Sequence, residues 1–125
     1  MFKFKFKGIN FYSGSFKEIK KQFDKGGVLV APAASALAEI KNKKYYYKAL
    51  KSSNIAILDS GFFCILIRLF KRYNIIKLSG FLFLQRFLAN LEKNKKLFLI
   101  NPSFKEDKIK SKYLYSMNIT NFKSY

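Results

Sequence analysis

Phe2, Phe4 and Phe6 alternate with Lys3, Lys5 and Lys7 at the start of the chain. A period of two sets rings on one face and ammonium groups on the other, which predicts a half-buried strand acting as a lid or a sheet edge. Gly8-Ile9-Asn10 follows, and Ser13-Gly14 reads as a turn. Ser15 then has the form of a helix N-cap, with Glu18 three residues on to complete a capping box, for a helix over 16–24. Gly26-Gly27 stops it. Val28-Leu29-Val30 reads as a short buried strand, and Pro32, within 31–40, suits the first turn of a second helix, where a missing N–H costs nothing.

The same alternation continues. Tyr45 to Lys51 reads as helix, Ser52-Ser53-Asn54 as a break, and Ile55-Ala56-Ile57-Leu58 as a buried strand ending at Asp59-Ser60-Gly61. A helix over 62–72 follows, then a brief extended piece over Ile75 to Leu78. Ser79-Gly80 opens a helix over Phe81 to Leu91, in which Phe81, Leu84, Leu88 and Leu91 recur at three- and four-residue spacing. Leu97-Phe98-Leu99-Ile100 reads as a third strand, closed by Asn101-Pro102-Ser103. Ser103 and Glu106 again have capping-box spacing, for a helix to about Tyr115, and Ile119 to Tyr125 can begin a further strand. Strands alternating with helices predict an α/β fold, Rossmann-like, with a mostly parallel sheet. No linker, repeat or second domain is visible, so residues 1–125 read as one domain.

Composition narrows the chemistry. There is no His and one Cys, which excludes a Cys/His zinc site, a His-based triad and an intramolecular disulfide. No metal site and no cofactor are expected. Cys64 lies in the run Phe62-Phe63-Cys64-Ile65-Leu66-Ile67 and reads as a buried small hydrophobe rather than a nucleophile. That run is far shorter than the ~18–20 apolar residues a membrane span needs. The N-terminus lacks the features of a signal peptide, so a cytoplasmic location is the default. The charge of +18 invites a polyanion partner. Its 22 Lys against 3 Arg, however, match the bias of an AT-rich coding sequence. A small basic nucleic-acid-binding module therefore rests on charge and aromatics alone, and no nucleic-acid partner is expected.

In an open parallel sheet, ligands sit beyond the carboxyl ends of the strands. Those positions are Ala31 to Ala33, Asp59 to Gly61 and Asn101 to Ser103. Asp59 is the one acidic residue between Glu39 and Glu92. A carboxylate there can serve as general base or bind a sugar hydroxyl, or it can simply cap the following helix. Lys77-Leu78-Ser79-Gly80 places a cation, a hydroxyl and a glycine before a helix N-terminus, an arrangement suited to phosphate or to plain Ser capping. The aromatic series Phe62, Phe63, Phe70, Phe81, Phe83 and Phe87 reads as core, while Tyr45 to Tyr47 remain open between packing and stacking on a ligand.

Three segments, Val30-Ala31-Pro32-Ala33-Ala34, then Tyr47 through Gly61, then Lys77 through Leu84, resemble in order and spacing the V-T-P-N-like, A-L-x-x-A-D-L-V-L-P-D-G and R-V-T-G-x-D-L segments of the WecG/TagA/CpsF glycosyltransferases. The resemblance spans most of residues 8–103. It implies an inverting, metal-independent enzyme that moves an N-acetylmannosamine-type sugar from a UDP donor to an undecaprenyl-diphosphate-linked amino sugar at the inner membrane face. The family's general-base aspartate falls on Asp59 and its diphosphate-associated arginine on Lys77. Substrate contacts are then expected at Ser79, Gly80, Ser60, Gly61, Ala31 and Ala33.

The departures are as informative. Ala31 and Ala33 stand where the family has threonine and asparagine, and Ser60 where it has glycine, with Gly61 one place later. Family members are also longer, so a missing C-terminal part, carrying more sheet and a membrane-docking segment, is expected. An inactive truncated remnant is the alternative these departures favour.

Overall fold

The computed structural model describes residues 1–125. They form two compact units, Met1–Arg86 and Phe87–Tyr125. The first unit begins with a hairpin. Strand β1 (Phe2–Phe6) pairs antiparallel with β2 (Ile9–Ser13), so that Phe4 faces Phe11 and Phe6 faces Ile9. The turn is Lys7-Gly8, with φ of 47° and 76°. Two successive positive φ values give the tight connection whose twist matches the paired strands, and Gly8 adopts its share without a Cβ clash. Residues Ile9–Ser13 thus form a second strand that the pattern did not predict, and Ser13 ends that strand instead of opening a turn.

Helix α1 (Phe16–Phe23) starts at the capping box expected of Ser15 and Glu18. The Glu18 N–H donates to Ser15 Oγ, and the Ser15 N–H donates back to Glu18 Oε2 at 2.8 Å. Such a cap stabilises a helix by about 1 kcal/mol. Strand β3 (Leu29–Val30) follows, and α2 (Ala34–Ala38), a short 3-10 turn over Ile40–Asn42 and α3 (Lys44–Ser52) lead to β4 (Ile55–Ile57). Pro32 lies just outside α2, whose N-cap is Ala33, instead of in its first turn. The sheet order is β1-β2-β4-β3, with β4 parallel to both β2 and β3. The sheet is therefore mostly parallel with one antiparallel edge, and β1 is the expected edge strand.

Helix α4 (Gly61–Lys71) and α5 (Gly80–Ala89) complete the unit, α5 carrying the chain onward past Arg86. The core joins the sheet to the helices. Phe11, fully buried, stacks on Phe4 at 5.6 Å between ring centroids and meets Phe63 at the same distance. Cys64 is buried in the same cluster, as expected, and burial pushes its thiol pKa up. Tyr47 packs against this core and donates its hydroxyl to the Lys7 carbonyl at 2.8 Å, whereas Tyr45 is exposed.

The aromatic series divides. Phe63 and Phe83 are buried, but Phe62, Phe70 and Phe81 are exposed, as is Leu84 of the stripe expected on α5. A three-to-four spacing marks one apolar side of a helix; these helices are apolar on more than one side, so spacing alone did not select the buried one.

In the second unit β5 (Leu97–Leu99) pairs parallel with β6 (Phe122–Ser124) in a separate two-stranded sheet, linked by α6 (Phe104–Ser116). The third strand thus exists but does not extend the main sheet. A run of three residues with Phe98 exposed carries too little pattern to specify a partner. Ser103 caps α6 through the Glu106 N–H at 3.3 Å, while the Glu106 carboxylate pairs with Lys110 rather than closing the box. No helix is long and apolar enough to cross a membrane.

Candidate functional site

Strands β3 and β4 are parallel neighbours, so the residues just after them emerge at the same edge of the sheet. Ala31 directly follows β3, and Leu58 and Asp59 follow β4. The extended segment Ile75 to Leu78 is tied to that edge at two points. Ser13 Oγ, at the end of β2, accepts the Ile76 N–H at 2.7 Å and donates to the Ile76 carbonyl at 3.4 Å. The Leu78 N–H donates to the Leu58 carbonyl at 3.3 Å. Ile75 and Leu78 are buried, which anchors the segment by its apolar side chains and leaves Lys77 exposed between them.

The anchoring delivers the start of α5 to Asp59. The Gly80 N–H donates to Asp59 Oδ1 at 2.8 Å. Gly80 also sits against Ala31: a Cβ built on it would lie 2.6 Å from the Ala31 Cβ and 3.9 Å from Asp59 Oδ1. A Cβ on Gly61 would lie 3.7 Å from Lys77 Nζ, so the ammonium group stands beside the first residue of α4. Ala31, Asp59, Gly61, Lys77 and Gly80, drawn from three separate stretches of chain, therefore meet at the carboxyl edge of the sheet.

Asp59 does not cap the helix that follows it. Ser60, not Asp59, is the N-cap of α4, its Oγ accepting the Phe63 N–H at 3.2 Å. Asp59 instead sets its charge at the N-terminus of α5, where the helix dipole favours an anion. The bond engages Oδ1, which orients the carboxylate and leaves Oδ2 as its second acceptor.

The remaining expected residues contribute less. Ser79 offers its carbonyl to the Phe83 N–H at 2.8 Å, the first turn of α5. Ala33 caps α2 with no side-chain hydrogen bond, so the position supplies shape and no polar group. No group of three or more Cys, Asp or Glu side chains could hold a metal ion.

No family model, curated protein or solved structure matches this chain.

Ser13 is the residue that sequence reasoning missed. It is buried and supplies both hydrogen bonds to Ile76, yet in the sequence it is one small polar residue before a glycine. The only signal is indirect, in that a strand-like stretch, Ile9 to Tyr12, runs directly into it.

Proposed function

We propose that this chain is a glycosyltransferase-like protein, inverting and metal-independent, that uses a UDP-linked sugar of the N-acetylmannosamine type. The acceptor is an amino sugar carried on undecaprenyl diphosphate, met at the inner membrane face by a peripherally bound protein. The observation that carries the reading is the hydrogen bond from Gly80 to Asp59 with the Lys77 ammonium nearby, beside Gly61, since Asp59, Lys77 and Gly80 are residues on which the motif resemblance falls.

In this reading Asp59, held through Oδ1 by Gly80, accepts the acceptor hydroxyl proton on Oδ2. The freed oxygen attacks the anomeric carbon from the side opposite the nucleotide. The bond from that carbon to the diphosphate oxygen breaks, and UDP leaves with the bonding electrons, inverting the centre. Lys77 offsets the charge that develops on the diphosphate, as a point cation without the bidentate fork of an arginine.

The test is transfer from UDP-N-acetylmannosamine to a lipid-diphosphate acceptor, comparing wild type with Asp59→Asn. A loss of roughly 10²–10⁴-fold in turnover with unchanged UDP binding is expected for removal of a general base. Turnover by the variant at the wild-type rate would remove Asp59 from the mechanism. The apolar Ala31 and Ala33 favour a second reading, a protein that retains nucleotide-sugar binding without transfer; UDP binding by a wild type that shows no turnover is its signature.

A further inference from the structure

Helix α4 is apolar on both of its sides. Phe63, Cys64 and Ile67 face the core. At about 100° per residue, Phe62, Ile65 and Leu69 fall within about 60° of one another on the opposite side. They are 66%, 59% and 70% exposed, and Phe70 beside them is 76% exposed. Single exposed apolar residues are ordinary, but a continuous ridge along an entire helix marks a surface that meets something apolar.

The surroundings of the ridge state what that partner is. From Ser60 to Leu91 the chain has no acidic residue. Lys71 and Arg72 end the helix, both exposed and neither in an ion pair, and Lys77 stands by its first residue. The Arg68 guanidinium is held by the Ile75 carbonyl, which fixes the turn after the helix. An apolar ridge flanked by cations, on a stretch of chain without acidic residues and with the nearby Glu39 of the α2 end paired to Lys43, is complementary to a bilayer that carries anionic headgroups: the ridge enters the acyl boundary while the cations stay at headgroup depth.

We infer that α4 is a membrane-docking face, on which Phe62, Ile65, Leu69 and Phe70 enter an anionic bilayer and Lys71 and Arg72 pair with its phosphates. Phe62 follows Gly61 directly, and Phe81, also exposed, follows Gly80 directly. Docking through α4 thus brings the Asp59 edge to the headgroup layer, where a lipid-borne diphosphate lies. This last step rests on the proposed function; the docking itself does not.

The experiment is co-sedimentation of the full chain with vesicles of phosphatidylglycerol and phosphatidylcholine, against vesicles of phosphatidylcholine alone. Binding to the mixed vesicles is expected. Lys71→Gln with Arg72→Gln lowers the partition coefficient by roughly 10- to 30-fold at low salt, at about 1 kcal/mol per cation. Ile65→Gln with Leu69→Gln lowers it by at least about tenfold. Because the chain has no Trp, Leu69→Trp supplies a single reporter whose emission shifts to the blue on the same vesicles, a readout that keeps the ridge in place. Three results overturn the inference: no binding to the mixed vesicles, binding indifferent to Ile65→Gln with Leu69→Gln, or self-association through the ridge with unshifted Leu69→Trp emission. Transfer to a water-soluble acceptor reads Asp59 without a bilayer, so failure of one idea is distinguishable from failure of the other.

Discussion

The Gly80 N–H and the Asp59 carboxylate, 21 residues apart in the chain, are joined at 2.8 Å. One side chain therefore serves two purposes: it closes the N-terminus of α5, and it presents a fixed carboxylate at the sheet edge. The two are separable by substitution. Asp59→Asn retains an oxygen acceptor for the Gly80 N–H and is expected to cost only the charge–dipole contribution, about 0.3–1 kcal/mol. Asp59→Ala leaves that N–H without its partner and is expected to cost about 0.5–2 kcal/mol, the range for losing a helix cap. Urea unfolding of the two variants checks this, and equal losses would mean that the bond contributes nothing to stability.

Gly80 is a packing requirement as well as a donor. In Gly80→Ala the new methyl would lie 2.6 Å from the Ala31 Cβ, too close for two carbons that are not bonded to each other. The expected cost is about 1–3 kcal/mol, despite the better helix propensity of alanine. Ala31→Gly in the same chain removes the obstructing methyl, so the double variant is expected to recover more than half of the loss. A double-mutant cycle with no coupling would show that the backbone relaxes instead.

The N-terminal ammonium group and Ser15 hold Glu18 well below its ordinary range, from 4.5 to about 2, the ammonium hydrogen bond being the largest cause. A carboxyl whose pKa falls on folding stabilises the fold above its unfolded value and loses that contribution as pH drops through the folded one. The stability difference between wild type and Glu18→Gln is therefore expected to be constant between about pH 5 and pH 7, where carboxylate and ammonium are both charged, and to shrink between about pH 4.5 and pH 2. Thermal melts across that window measure it; a difference independent of pH would show the carboxylate to be unperturbed.

Cys64 is 3% exposed, and burial raises its thiol pKa. Both effects suppress thiolate chemistry. Labelling by a thiol-specific disulfide reagent at pH 8 is expected to be slow in buffer and fast in denaturant. Cys64→Ala is expected to lower stability by about 1 kcal/mol, the loss of one buried sulfur. Rapid native labelling would contradict the buried placement.

Local pattern accounts for much of what folds. The alternation of Phe2 to Phe6 needs one covered face, and β1 has it at Phe4 and in part at Phe6, while Phe2 stays exposed. Ser15 with Glu18 spells a capping box, and the box is closed. Asp59, Lys77 and Gly80 were legible as candidates because each follows a strand or precedes a helix. Pairing was not legible. Ile9 to Ser13 became a strand because a two-residue turn folded it back on β1, and Leu97 to Leu99 joined β6 rather than the main sheet. Which side of α4 and of α5 is buried was likewise undecided, because both helices are apolar on more than one side.

By itself, then, the sequence determined most of the elements and the caps of α1 and α6 at Ser15 and Ser103, which depend on residues three or four apart. The tertiary structure decided the rest: Ser13 holding Ile76, Asp59 reaching Gly80, and the ridge of α4 left uncovered. Each of these depends on bringing together or separating segments tens of residues apart, and no local periodicity encodes such distances.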